Sequence, residues 1–221
     1  MSEMRTFVEP NVRACFRLWV LNIIWLWFAV NEQVIIETPR LMFRPWADAD
    51  APILFRYASD PDVGIRAGWP SHQSVGESLR IIRDVFSNGR TWALELKDSG
   101  EPIGCMGYYV HGESNIPIGR KDAELGYWIA KPYWNQGLCT EALEAMCDWC
   151  FSQKGFHTLW CDFFVDNPAS GRVMEKCGFK DTGKTNWCSH LYRGDERPVK
   201  IMKLHPSMFA GIRDIFVSLH R

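Results

Sequence analysis

At 221 residues the chain is long enough for one well-buried domain with length to spare. Its 25 Lys and Arg nearly cancel its 26 Asp and Glu, which excludes a field suited to nucleic acid or to an anionic membrane and favours a small or locally charged partner. Eight cysteines lie within hydrophobic runs of a chain too large to need stapling, so they read as reduced thiols in the cytosol rather than a disulfide framework.

The first segment, residues 1–33, is a hydrophobic, Trp-rich extension. Its run FRLWVLNIIWLWFAV (16–30) is broken only by Arg17 and Asn22 and falls short of the roughly 20 apolar residues of a spanning helix. Arg5, Arg13 and Arg17 imitate the basic start of a signal peptide, but Ala29-Val30-Asn31 is no small-x-small cleavage site. Three readings stay open. The first is a helix docked on the domain or on a second copy, giving a homodimer through the extension. The lesser two are a shallow membrane anchor and an upstream extension outside the functional protein. So much aromatic surface (Phe16, Trp19, Trp25, Trp27, Phe28) is expected to be covered.

A domain is expected over 34–204. VIIE and LMFRPW read as one strand broken at Thr38-Pro39. Asp48 opens a short helix to about Tyr57, and SDPDVGIRAGWP, rich in Asp, Gly and Pro, reads as a loop. Ser74 to Glu77 has capping-box spacing, with Leu79, Ile82 and Phe86 on one helical face until Asn88-Gly89. TWALELK and PIGCMGYYV form a hairpin about Asp98-Ser99-Gly100. DAELGYWIA is a strand ending at Lys131-Pro132. Leu138, Ala142, Met146 and Trp149 then recur at helical spacing up to Lys154-Gly155. Cys147 and Cys150 form C-x-x-C within that helix, with no partner pair at metal spacing, so they read as buried thiols and no metal is expected. HTLWCDFFV is a further strand. Asn167 is an N-cap with Pro168 at the first helical position, and Gly178 ends that helix. A closing hairpin pairs about Phe179–Lys184 with Pro198–Leu204 across a polar loop, and 205–221 reads as an amphipathic helical tail with Met208, Ile212, Ile215, Phe216 and Leu219 on one side. This order indicates an α/β mixed sheet with helices on its faces and a ligand at a strand-to-helix turn.

That turn is YWNQGLCTEAL (133–143). Gly137 admits a ligand without a Cβ in the way, and the first N–H groups of the helix have no intrahelical partner. With the helix dipole these make an anion site suited to a phosphate or pyrophosphate, although many helices begin with glycine and bind nothing. G-x-x-x-x-G-K-[ST] and G-x-G-x-x-G are both absent from the chain, which removes the usual support for nucleotide hydrolysis and dinucleotide binding.

The ensemble AELGYWIAKPYWNQGLCTEAL followed by NPASGRVMEKCGF closely resembles the GNAT superfamily of N-acetyltransferases. W-x-x-G-x-x-TEA with N-x-x-S downstream, together with ETPRLMFRPW and DPDV...AGWP, resembles the branch containing the ribosomal-protein N-terminal acetyltransferases RimJ and RimL. The resemblance implies the acyl-CoA N-acyltransferase fold, a central twisted, mostly antiparallel sheet flanked by helices, with acetyl-CoA as co-substrate and an amine as acceptor. It also implies that the backbone of Trp128, Ile129 and Ala130 is free for the pantetheine arm. The N–H groups of Gln136, Gly137, Leu138, Cys139 and Thr140 would hold the pyrophosphate, and Asn167 would contact pantetheine. Trp134 and Cys139 depart from the usual Gln/Arg and Gly/Ala of the superfamily.

Amine attack needs a lone pair, so an ammonium must first lose a proton. Glu124 sits where the superfamily often places its base; the competing reading is a strand-edge Glu in a salt bridge. The Tyr that often protonates the departing thiolate is replaced by Met174, and Ser170 is the substitute by analogy, against a plain capping hydroxyl. His72, His111, His157 and His190 have no ligand spacing and read as surface or core residues. An acetyl-Cys139 route lacks a nearby activating His. The expected activity is direct acetyl transfer from acetyl-CoA to a primary amine, with a protein or peptide N-terminus as the leading acceptor. A small amine (amino acid, polyamine or aminosugar) is the runner-up, and a catalytically silent acyl-CoA-binding module is the rival of another class.

Overall fold

The computed structural model describes residues 36–190 and 193–209. The docking, dimer and anchor readings of residues 1–33, and most of the expected C-terminal helix, lie outside them. In chain order the elements are β1 (Ile36–Glu37), β2 (Leu41–Arg44), α1 (Ala51–Ala58) and α2 (Pro61–Ala67), then α3 (Val75–Ile81), which widens into a π turn over Ile82–Phe86. There follow β3 (Thr91–Leu96), β4 (Glu101–Val110), β5 (Asp122–Ile129), α4 (Leu138–Ser152), β6 (Thr158–Phe164), α5 (Pro168–Lys176), β7 (Lys180–His190) and β8 (Asp195–Leu204). The described strands form one sheet in the order β1-β2-β3-β4-β5-β6-β8-β7, antiparallel except where β5 meets β6.

Two expectations need correction. The segment read as a loop at SDPDVGIRAGWP contains α2. Its Asp, Pro and Gly punctuate a helix: the Asp60 carboxylate accepts the Asp62 N–H at 2.9 Å, Pro61 takes the first position, and Gly68 closes the end at φ 84°. Much of the polar loop expected between Lys184 and Pro198 is strand, because β7 and β8 run on in register from Asn186↔Val199 to His190↔Asp195. As the edge strand, β7 exposes most of its residues, so its composition looks like a loop.

The sheet has two packed faces. On one, α1 and the π turn bring Leu54, Ala58 and Ile82 against Ala93 and Cys105, with Trp69 and Trp128 packed on the edge of the cluster. On the other, Trp149 of α4 meets Trp92 and Tyr108 edge-on or tilted, and Phe163 of β6 packs against Gly171 of α5. All seven described cysteines are free and none is exposed, and burial pushes the thiols of Cys105 and Cys150 to about 12, consistent with the reading as inert core thiols.

Gly104 permits the close approach of β4 to the end of β5. A Cβ there would lie 2.4 Å from the Trp128 carbonyl oxygen and 2.8 Å from the Ile129 side chain. Gly104→Ala is therefore expected to destabilise the domain by about 1–3 kcal/mol through overpacking, read as a lower midpoint in urea unfolding; an unchanged midpoint would count against this packing.

Candidate active site

β5 registers with β6 at only three pairs, Asp122↔Thr158, Ala123↔Leu159 and Glu124↔Trp160, after which the strands part. Their outer sides stay laddered, β5 on β4 to Gly104↔Ile129 and β6 on β8 to Phe164↔Val199. A cleft of about 490 Å³ opens at the parting, lined among others by Trp128, Ile129, Gly137, Leu138, Cys139, Thr140, Asn167 and Ser170. Of the other site residues expected from sequence, Glu124, Ala130 and Gln136 are not among its lining groups.

The backbone of Ala130 is not free, which corrects the expectation for that residue. Its N–H donates to the Ile103 carbonyl at 2.8 Å and its carbonyl accepts from the Tyr133 N–H at 2.9 Å. Strand alternation turns Trp128 toward β4 as well, leaving Ile129 and Tyr127 to face the parting. The Ile129 carbonyl accepts from the Trp134 indole at 2.6 Å. Trp134 thus takes up one of the polar groups that the parting would otherwise leave without a partner.

Beyond β5 the chain makes a single 3₁₀ turn over Lys131–Tyr133, passes through left-handed backbone at Asn135 (φ 60°) and Gly137 (φ 77°), and enters α4. The first intrahelical bond is Glu141 N–H to Gly137 C=O, so the N–H groups of Leu138, Cys139 and Thr140 precede any intrahelical acceptor. The turn is pinned from behind. The Glu141 carboxylate accepts from the Thr38 hydroxyl (2.6 Å), the Arg40 N–H (2.9 Å) and Arg40 Nε (2.7 Å), and Arg40 Nη1 reaches the Gln136 carbonyl (2.9 Å). The Gln136 side chain donates to the Pro132 carbonyl. Arg66, Arg172 and Lys176 also line the cleft and no carboxylate does, so its charge suits an anion. Burial pushes the Cys139 thiol to about 12, which removes the thiolate that a covalent route would need.

Asn167 does not cap α5 through its side chain. At φ −115°, ψ 63° it lies outside the extended region used by capping residues, and its Nδ2 instead crosses to the Arg66 carbonyl at 3.0 Å. Arg66 also lies 4.9 Å above the Trp134 ring, so α2 bridges the cleft at two points. Ser170 Oγ is 3.1 Å from the Tyr127 hydroxyl, which is also 3.2 Å from the Ser170 carbonyl. Burial holds the Tyr127 phenol well above its ordinary value and keeps it protonated. Sequence reading missed Tyr127, although strict alternation from Glu124 would have put it on the opposite face, toward α5.

On the face bearing Trp128, Glu124 is 3% exposed. It makes no ion pair among the described residues; its Oε2 lies 2.6 Å from Ser114 Oγ and accepts the Asn115 N–H at 2.8 Å. Burial raises its pKa against these hydrogen bonds. Asp162 of β6 lies on the same face, two residues past Trp160, and is pushed up to about 7 by burial and by Glu124. His190, completely buried, brings Nε2 within 2.8 Å of the Ile65 carbonyl and ties β7 to α2, while His72 pairs with Ser78 at 2.8 Å.

Residues 40–180 match the acetyltransferase (GNAT) domain family. A protein of Bacillus subtilis (strain 168) named an uncharacterized N-acetyltransferase, YoaA, is 29% identical over 154 residues, covering 67% of this chain and 84% of its own. Among solved structures, Mycobacterium smegmatis RimJ in complex with CoA-disulfide superposes with a TM-score of 0.65 at 19% identity, covering 80% of this chain and 89% of its own. Spermidine N-acetyltransferase from Vibrio cholerae, in complex with CoA and spermine, does so with 0.63 at 18%, covering 78% and 99%. The chain belongs to the GNAT family and is an acyl-CoA-dependent N-acetyltransferase. Among the described residues no cluster could hold a metal ion and no helix is long and apolar enough to cross a membrane.

Replacing Gly137 with alanine forces a Cβ into left-handed backbone at a cost of about 1–2 kcal/mol. The expected outcome is a roughly tenfold rise in the KM for acetyl-CoA, about 1.4 kcal/mol, in steady-state assays, with the far-UV circular dichroism unchanged.

Proposed function

We propose that the chain transfers acetyl from acetyl-CoA directly to a primary amine, with a protein or peptide N-terminal α-amine as the leading acceptor. The observation that carries this reading is the parting of β5 and β6 beside the mouth of α4, which lets a thioester reach both faces of the sheet. In this proposal the transferase domain spans 34–204. The N–H groups of Gln136 to Thr140 hold the pyrophosphate, and Ile129, Trp128 and Asn167 border the pantetheine arm. The Ser170 hydroxyl donates to the departing thiolate. When Tyr127 donates to the Ser170 carbonyl, the serine proton is released to point into the cleft.

The amine gives up its proton on the opposite face, where Glu124 and Asp162 both lie with raised pKa values. An α-ammonium near 8 gives up its proton about two units more readily than an alkylammonium near 10, so a carboxylate base suits the first better. The likeness to RimJ supports the same choice. A small amine is the second reading, favoured by the shared fold of the spermidine enzyme from Vibrio cholerae.

A mass-spectrometric screen of peptides with free N-termini, polyamines, amino acids and aminosugars tests the acceptor. Peptide N-termini are expected to gain acetyl; transfer confined to polyamines would move the assignment to the second reading. Ser170→Ala is expected to lower kcat by about 10²-fold while the KM for acetyl-CoA stays within twofold.

A further inference from the structure

The two edges of the sheet are guarded unequally. An edge strand offers unpaired N–H and C=O groups to any other strand, and folded chains blunt it with shortness, bulges or lysines. β1 is blunted by its length of two residues. β7 has eleven, and only its first half carries a guard. The register with β8 breaks between Asp181 and Thr185, where the Asp181 and Thr182 side chains accept the Gly183 and Lys184 N–H groups, and Lys180 and Lys184 add charge. From Thr185 to Ser189 no such device is present: the segment TNWCS holds no charged residue, no proline and no register shift.

A proline tells which way the open groups point. The Val165 N–H donates to the Pro198 carbonyl at 3.1 Å, so the main chain of Pro198 faces β6. Trp187 stands opposite Pro198 across β7 and β8, so that pair lacks ladder bonds and the N–H and C=O of Trp187 point out of the sheet. Thr185 and Ser189, two residues to either side, point out with it. The side chains form a pattern as well. Val165, Pro198 and Trp187 stand in one row, on the face where Phe163 meets α5, and the row ends at the open edge. Val165 is 46% exposed and Trp187 60%. An exposed apolar row continuous with an open edge marks a surface that another chain covers.

We propose that the chain forms a twofold dimer in which β7 pairs antiparallel with β7 of a second copy, centred on Trp187. Such a contact presents the same patch from both sides, so the segment must complement itself. Centred on Trp187 it does. Trp187 meets the partner subunit's Trp187, Thr185 meets the partner subunit's Ser189, and all three outward residues find main-chain partners. A centre at Cys188 would use only Trp187 and Ser189 and leave Thr185 facing the hairpin turn. No like charges come opposite one another over 185–189, because the segment has none. The two apolar rows meet at the axis, and the two sheets become one. An acceptor peptide added as a strand would use the main chain alone, whereas the neutral, self-matching side chains single out a second copy.

Sedimentation velocity of the full chain at micromolar concentration is expected to show a dimer. Trp187→Lys places two charges at the axis and is expected to weaken the dimer by about thirtyfold or more, with the far-UV circular dichroism unchanged because the side chain is exposed. Ser189→Pro removes an outward N–H and no ladder bond within the chain, and is expected to weaken it too. Hydrogen exchange locates the contact: the amides of Thr185, Trp187 and Ser189 should be slow in the dimer and fast on dilution to the monomer or in Trp187→Lys. A monomeric wild type, a dimer that both variants leave intact, or concentration-dependent protection that falls elsewhere, residues 16–30 included, would overturn the proposal. Slowing of these amides in a monomer on addition of a peptide would overturn it as well and give the edge to the peptide. None of these measurements depends on acetyl transfer, so the dimer and the functional reading stand or fall separately.

Discussion

Everything in the site follows from a parallel pairing that lasts three residues. β5 and β6 are each laddered along their outer side, so each can leave the other after Glu124 and Trp160 without losing its place in the sheet. Backbone groups turned into the gap must still find partners. Trp134 supplies one at the Ile129 carbonyl, and the remainder face a cleft large enough to admit a ligand. The gap lies between a face bearing Tyr127, with Ser170 beside it, and a face bearing Trp128, Glu124 and Asp162.

A second constraint places the mouth of α4 against that gap. Glu141 gathers Thr38 and Arg40, about a hundred residues away in sequence, and Arg40 in turn holds the carbonyl of Gln136. This charge-assisted set lies behind the turn, which leaves the front of the helix with unspent N–H groups and the cations Arg66, Arg172 and Lys176. An acidic residue in the first turn of a helix would weaken an anion site if it faced the cleft. Here it is turned to the back, where it neutralises an arginine and fixes the geometry of the turn.

The core thiols and two of the histidines are committed away from the cleft. Burial raises Cys139 and its neighbours far above neutrality, and His190 and His72 are tied to Ile65 and Ser78. The Tyr127–Ser170 hydroxyl pair and the carboxyls of Glu124 and Asp162 lie on opposite faces of the sheet.

The amino-acid sequence alone determined most strands and helices, the bare glycine turn at the head of α4 and the resemblance to the family, because these rest on local periodicity, turn chemistry and short motifs. Where it misjudged, the cause was context. The residues of α2 have loop composition because they are helix punctuation, and those of β7 look like a loop because an edge strand has no second neighbour to bury it. Asn167 has the identity of a cap but is drawn across the cleft, and Ala130 spends both backbone groups on Ile103 and Tyr133. Alternation from Glu124 could have placed Tyr127 on its face, but its hydroxyl contact with Ser170 depends on where α5 docks. Only the tertiary structure decided that Glu124 is buried beneath Ser114 and Asn115 and that β6 leaves β5 after Trp160, because burial and strand parting are set by segments that meet only after folding.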